Sequence, residues 1–448
     1  MGKQKTNQKS DAFTRRSFVK TTGLATGGIL ASSIPFESMA QTGKVEKLKL
    51  AVVGCGGRGT GATVQALTAD PDVELVAMAD AFQDRLEGSL TAIQEHFDGE
   101  RKINVKEKNR FVGFDAYKNA IDSADVVVLA TPPGFRPLHF EYAIAQDKHV
   151  FMEKPVATDA AGVRRVLQAA KSAKEKKLNV VVGLQRHYQK KYTTLYDQIQ
   201  QGAMGKIVGG QVYWNSGGVW VRPRKEGQSE LEYQMRNWYY FNWLCGDHIL
   251  EQHIHNIDVA NWFIGEYPSM AQGMGGREVR NGKDHGEIFD HHFVEYTYPT
   301  GAVISSQCRH QKGCHSRVDE AFQGSNGSVV VSKGIIADLN GQEKFNYSKM
   351  NEGQHDPNPY QVEHDRLFAA IRTKSELLAD AENGAKSTLA AIMGRMATYS
   401  GDIITWDQAL NSDLQLVPDN LSWDSVAPTL PDADGKYKIP VPGITKFS

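Results

Sequence analysis

One six-residue stretch restricts this chain more than any other: Gly54-Cys55-Gly56-Gly57-Arg58-Gly59. It follows an apolar run, Lys47–Val53, and opens an amphipathic one, Arg58–Ala69. Glycines at G-x-G-x-x-G spacing between a strand and a helix allow a tight turn, a close backbone approach to a pyrophosphate and close helix–strand packing. The helix N-terminus then faces the phosphates. The pattern is common on its own. Here an acid, Asp80, ends the next predicted strand, Val73–Ala79. A carboxylate at that place bonds the adenosine ribose hydroxyls and repels a 2′-phosphate. The expected cofactor is NAD in preference to NADP, on Gly54, Gly56, Gly57, Arg58, Gly59 and Asp80.

The same alternation continues to about residue 183. Strands are expected at Asp125–Ala130, Lys148–Met152 and Asn179–Gly183, and helices at Phe82–His96, Phe135–Gln146 and Ala160–Lys176. Continuously apolar strands between amphipathic helices mean a parallel sheet covered on both faces. The fold class is α/β, with a doubly wound Rossmann domain over 41–184. Ala130-Thr131-Pro132-Pro133 ends the fourth strand, because proline cannot continue the ladder. Thr131 and Pro132 should therefore face the crevice at the carboxyl ends of the strands. His139 on the following helix either reaches that crevice or sits on the outer helix face.

From Gln185 the pattern changes. Ile207–Asn215, Ser269–Gly275, His291–Tyr298, Ala302–Gln307, Glu320–Gly324 and Ser328–Val331 read as strands of an open, predominantly antiparallel sheet, separated by turns such as Ser325-Asn326-Gly327. A helix is expected over Gly246–Phe263, and two more at Pro359–Thr373 and Ala381–Tyr399. This defines an α+β domain over 185–400, followed by a Pro- and Asp-rich tail, 401–448, that should wrap the surface.

The N-terminus reads differently. Thr14-Arg15-Arg16-Ser17-Phe18, a weakly apolar run and Ser38-Met39-Ala40 follow the order of a twin-arginine export signal over 1–40, rather than a disordered basic tail. A periplasmic location follows. The formal net charge of -1 offers no basic face for nucleic acid. No later apolar run is long enough for a mature membrane span. Cys55, Cys245, Cys308 and Cys314 match no zinc or haem spacing. An oxidising compartment permits a Cys308–Cys314 bridge, but unbridged thiols are favoured.

At Glu153-Lys154-Pro155, directly after a Rossmann strand, the chain resembles the glucose–fructose oxidoreductase / inositol dehydrogenase / rhizopine-catabolism superfamily. The glycine loop, the Ala-Thr-Pro turn and a later His-x-x-Asp helix belong to the same resemblance, which covers roughly 47–400. It implies a two-domain enzyme oxidising or reducing a carbinol of sugars, inositols or related polyols. A homodimer or homotetramer built on the second sheet also follows. It implies a catalytic Lys154 beside the nicotinamide, with Glu153 and Gln185 lining the cofactor. It places His255 as the catalytic histidine and Glu251 where the family usually has aspartate, four residues earlier and on the same helix face. His253 stands where relatives often have glycine, which bears on substrate access.

A metal reading competes. His248, Glu251, His255 and Asp258 recur at helical spacing, and imidazole with carboxylate suits zinc or manganese. Hydride transfer needs no metal, so none is assigned. His291, His292, His310 and His315 read as strand residues rather than ligands. Arg186 and the insertion around Arg222, Arg224 and Trp238 combine aromatic faces with hydroxyl-bonding groups, as a sugar site needs. A tightly packed loop or an oligomer contact accounts for them equally well. The expected function is NAD-dependent oxidation of a ring hydroxyl with a retained, internally recycled cofactor. Two other readings stand beside it: a redox-neutral, NAD-dependent glycosidase of the same superfamily, and a non-catalytic NAD- or sugar-binding protein.

Overall fold

The computed structural model describes residues 46–99 and 103–446. The expected export segment, with Arg15 and Arg16, lies outside the described residues. Six parallel strands form the first sheet: β1 (Leu48–Val53), β2 (Val73–Asp80), β3 (Arg110–Val112), β4 (Val126–Leu129), β5 (His149–Met152) and β6 (Val180–Val182). Their order is β3-β2-β1-β4-β5-β6, the doubly wound arrangement whose crevice opens at the carboxyl ends of the central strands. Every residue of β4 is buried. Each of its valines contributes about 1.5–3 kcal/mol by leaving water.

The second sheet has nine strands: β7 (Ile207–Ser216), β8 (Met270–Gly276), β9 (His291–Thr297), β10 (Val303–His310), β11 (Arg317–Gly324), β12 (Gly327–Val330), β13 (Ile335–Asp338), β14 (Glu343–Asn346) and β15 (Ile404–Thr405). The order is β14-β13-β12-β11-β7-β10-β9-β8-β15, antiparallel throughout except for the parallel pair β7–β10. Four short strands, β3, β13, β14 and β15, were not expected from the sequence. The helix Ala381–Ser400 binds the two sheets together and is buried along nearly its whole length. Its small residues sit where it presses hardest. A Cβ on Gly394 would lie 2.2 Å from the Tyr296 hydroxyl, and one on Gly384 would lie 3.0 Å from Val182.

The single helix expected over Gly246–Phe263 is two, His248–Glu251 and Ile254–Ile264. The break has a local cause. The amide of His253 reaches back five residues to the carbonyl of His248, a wide π-type turn, while its imidazole is fully buried against Ser306. All four cysteines are unbridged, and Cys314 alone among them is exposed. Among the described residues no helix is long and apolar enough to cross a membrane.

Candidate active site and cofactor crevice

The glycine loop performs three separate jobs. Gly54 has φ +97°, and a Cβ there would strike the Ala130 carbonyl carbon at 2.5 Å, so it makes the turn past β4. A Cβ on Gly59 would lie 1.8 Å from the Gly54 carbonyl oxygen, so it lets the helix Gly57–Ala69 close on the strand. Gly56 and Gly57 meet nothing within 4 Å, which leaves their backbone open to the cavity. Asp80 closes the other end of that cradle. Its Oδ2 accepts from the Cys55 amide at 2.7 Å and its Oδ1 from the Phe82 amide at 2.9 Å. Burial raises the Asp80 carboxyl above its ordinary range, and these two amides oppose the rise. Each oxygen retains a lone pair for a ribose hydroxyl. The residues therefore fit a dinucleotide. In Asp80→Ala, NAD affinity should fall by about 1–3 kcal/mol, the scale of a charged hydrogen bond. Fluorescence titration measures it, and a wild type that binds NADP at least as well as NAD would refute this role.

These groups line a cavity of about 750 Å³. Thr131, Pro132 and His139 line it too. Thr131 Oγ1 lies 3.2 Å from His139 Nδ1, and the imidazole is stacked between Phe135 and Tyr117. Burial, then the Arg136 charge, pushes the His139 pKa down to about 3, so it meets the cofactor neutral. Arg136 itself was not singled out from the sequence. It is almost fully buried and donates to the carbonyls of Thr131 and Pro155, which ties the two site turns together.

The far wall of the cavity comes from outside the Rossmann domain. Trp220, Arg222, Met235, Arg236 and Trp238 of the insertion lie over the adenosine end. Arg236 bonds both Asp84 oxygens at 3.1 Å and sits 4.0 Å above the Phe82 ring. Trp238, expected at the substrate, thus lines the dinucleotide crevice. The tail crosses the same region. Trp423 packs on Phe82 at 5.2 Å and on Phe114 at 4.8 Å. Tyr437 is buckled between Glu230 and Arg224 of the insertion, and Gln234 donates to the Thr429 carbonyl at 2.7 Å.

Arg58 and Glu153 are partners rather than free cofactor ligands. The Arg58 guanidinium turns away from the loop to Glu153, with further bonds to Gln65 at 2.8 Å and Glu363 at 3.2 Å. Glu153 in turn fills the space beside Gly183, where a Cβ would lie 2.8 Å from its carboxylate. The Gln185 side-chain oxygen Oε1, just past β6, is buried without a partner.

Lys154 follows β5 across a cis peptide to Pro155. Its ammonium donates to the Glu251 carbonyl oxygen and lies 3.2 Å from Glu251 Oε1. Burial raises the Glu251 carboxyl, and the ammonium opposes that rise. Glu251 is therefore the partner of Lys154. No hydrogen bond joins it to His255 among the described residues, because the break at Gln252–His253 spoils the four-residue register. Glu251 Oε2 and His255 Nδ1 are both buried without partners. His255 stacks on Trp214, with ring centres 5.9 Å apart. Burial first, and the Lys154 charge second, hold its pKa well below the ordinary imidazole value.

The same break disperses the proposed metal face. Glu251 goes to Lys154, and Asp258 accepts from Ser387 and Asn383 and pairs with His187 at 2.7 Å. His248 instead meets His292, which had been read only as a strand residue. Arg186 is committed to a buried ion pair with Glu320, and His253 Nε2 to Ser306 Oγ at 2.7 Å. Neither residue lines the cofactor cavity, and His253 Nδ1 is buried without a partner.

Two family profiles match this chain. One, described as an oxidoreductase family with an NAD-binding Rossmann fold, covers residues 48–183. The other, its C-terminal alpha/beta domain, covers 196–411. The chain is 26% identical over 271 residues to an inositol 2-dehydrogenase of Rhizobium meliloti (strain 1021), spanning 60% of this chain and 70% of the relative. Its fold is similar to that of a levoglucosan dehydrogenase solved with NADH and levoglucosan, with TM-score 0.62 and 16% identity over 80% of this chain and 99% of that one. It is similar as well to an aldose-aldose oxidoreductase from Caulobacter crescentus solved with glycerol, with TM-score 0.61 and 17% identity over 80% of this chain and 100% of that one. The chain belongs to the GFO_IDH_MocA family of NAD-binding oxidoreductases.

Proposed function

We propose that this protein oxidises a ring hydroxyl of a sugar, glycoside or polyol with an NAD that stays bound between turnovers. The observation that carries the reading is the meeting of Lys154, Glu251 and His255 beyond a cofactor cavity walled by the Rossmann domain and the insertion. NAD supplies the hydride acceptor. The Lys154 ammonium polarises the substrate oxygen, and the neutral His255 imidazole takes the hydroxyl proton as the carbonyl forms. Glu251 holds the ammonium in place.

Retention of the cofactor is supported by the insertion that walls the cavity, by the tail that backs it and Phe82, and by the twin-arginine pattern, a route for proteins already folded. A periplasmic enzyme that released NAD would lose it. A second substrate carbonyl must then take the hydride back, which makes each cycle redox-neutral. The exposed Met274 and Phe293, paired across β8 and β9, support assembly into dimers or tetramers on the open face of the second sheet.

The test is mass spectrometry of nucleotide bound to protein recovered from the periplasm, followed by a glycoside panel scored for keto products. Near-stoichiometric NAD with keto-sugar products is expected. Release of the aglycone from an aryl glycoside would identify the glycosidase chemistry instead. Bound nucleotide without any turnover would leave a binding protein.

A further inference from the structure

A guanidinium buried without an anion destabilises a fold, and Arg136 is buried in that way. It opens the helix Arg136–Ala145 and is 1% exposed. The first turn of a helix is the positive end of its dipole, which disfavours a cation further. Nη1 donates to the Pro155 carbonyl at 2.7 Å, and Nη2 donates to the Thr131 carbonyl. Nε is buried without a partner. Arg136 makes no ion pair among the described residues. The two carboxylates whose charge reaches it, Glu153 and Glu251, are each paired with another cation, Arg58 and Lys154. Burial pushes Glu363, the second partner of Arg58, well above the ordinary carboxylate range, which favours its neutral form. One positive charge is therefore left over at this end of the crevice.

The place of that charge matters. A dinucleotide spans the two halves of a doubly wound sheet at the carboxyl ends of its strands. With the adenosine ribose at Asp80 on β2, the nicotinamide half extends toward β4 and β5. Arg136 joins the ends of those two strands, since Thr131 follows β4 and Pro155 follows Lys154 beyond β5. Its charge reaches the cavity wall. His139 lines the cavity one helical turn further on, and after burial it is the Arg136 charge that lowers its pKa. Burial brings the Arg136 pKa down to about 10, so the guanidinium stays protonated at neutral pH.

We propose that Arg136 sets the balance between the two forms of the bound cofactor and favours NADH over NAD⁺. The oxidised nicotinamide ring is positively charged. Accepting a hydride, two electrons and one proton, removes that charge. A buried cation at the nicotinamide end repels the oxidised ring and spares the reduced one, which makes bound NAD⁺ a stronger hydride acceptor. A unit charge within about 10 Å, at an effective dielectric constant of about 20, shifts such an equilibrium by about tenfold or more. Arg136 does not itself line the cavity, so it acts through its field and is not a catalytic residue. The inference rests on the nicotinamide cofactor and not on the sugar chemistry proposed above.

The test is a competition between the two forms of the nucleotide. The full chain is equilibrated with an equimolar mixture of NAD⁺ and NADH until exchange with any retained nucleotide is complete. Unbound nucleotide is removed by rapid gel filtration, and the bound ratio is read by NADH absorbance and mass spectrometry. The wild type should be enriched in NADH by about tenfold or more. Arg136→Met, which removes the charge, should lower that enrichment about tenfold. Arg136→Lys keeps the charge but bonds only one of the two carbonyls, and should retain most of the enrichment. Folding of each variant is checked with ADP-ribose, which lacks the nicotinamide and should bind all three proteins alike. Equal binding of the two forms by the wild type would overturn the proposal, as would an enrichment unchanged in Arg136→Met. An enrichment lost from Arg136→Lys as fully as from Arg136→Met would overturn it too, because the carbonyl bonds and not the charge would then be responsible. If Arg136→Met does not fold, Arg136→Gln takes its place and the same ratio decides. Absence of sugar turnover changes none of these outcomes.

Discussion

His255→Ala is expected to lower kcat by about 10²–10⁴, the range for losing a general base, and to leave bound NAD in place. The second half of that expectation matters as much as the first. His255 is separated from the glycine cradle and from Asp80, and does not line the cavity they share. A nucleotide-replete but inactive variant therefore isolates a defect in proton transfer, whereas near-normal turnover would remove His255 from the mechanism. The pH profile gives an independent reading. The working form of the base is the neutral ring, and burial with the Lys154 charge depresses its pKa below 6.5. A depressed pKa keeps the ring neutral as pH falls, so the acid limb of kcat/KM should lie below the ordinary imidazole range. In Lys154→Gln the residual activity should show that limb moved upward, because the largest of the charges that depress the pKa has gone. An acid limb of the wild type at 6.5 or higher would contradict the assignment.

Cutting the chain after residue 412 should release the cofactor. The tail touches both walls of the cavity. On the Rossmann side Trp423 backs Phe82 and Phe114, and the Leu416 amide donates to Asp159 at 2.8 Å. On the insertion side Tyr437 and the Thr429 carbonyl hold the helix Glu230–Arg236. Without these ties, the Arg236 bonds to Asp84, partly exposed and worth about 0–1 kcal/mol, and its stack on Phe82 are left to hold the insertion against the Rossmann side. Removing several aromatic contacts of about 0.5–1.5 kcal/mol each amounts to a tenfold or greater rise in the nucleotide dissociation rate. A competitor chase followed by gel filtration measures it. Trp423→Ala, a milder change that keeps the tail, should show the same direction with a smaller increase. Unchanged retention in both variants would mean that the cradle alone holds the cofactor, and the insertion and tail would then be packing elements only.

What the sequence determined by itself was local chemistry. The glycine loop, Asp80 and the Thr131-Pro132 turn could be read because backbone freedom, a strand-end carboxylate and a missing amide act within a few residues. The apolar runs of β1, β2, β4 and β5 were legible for the same reason, since burial on both faces of a parallel sheet leaves no polar alternation. The strands that escaped notice, β3, β13, β14 and β15, have two to four residues, too few for any period to declare itself. Only the tertiary structure decided partnership. Arg58 and Glu153 are 95 residues apart, and Lys154 and Glu251 are 97 apart, so no spacing rule connects them. The parallel pairing of β7 with β10 is likewise a long-range choice. The histidines show the difference most clearly. A regular helix would have aligned His248 with Glu251, His255 and Asp258. The wide turn at His253 instead sends Glu251 to Lys154, and the fold brings His248 beside Asp247 and a histidine from β9. Hydrogen bonding and burial at one residue thus redirected a whole face, which is why helical periodicity predicted the wrong neighbours there.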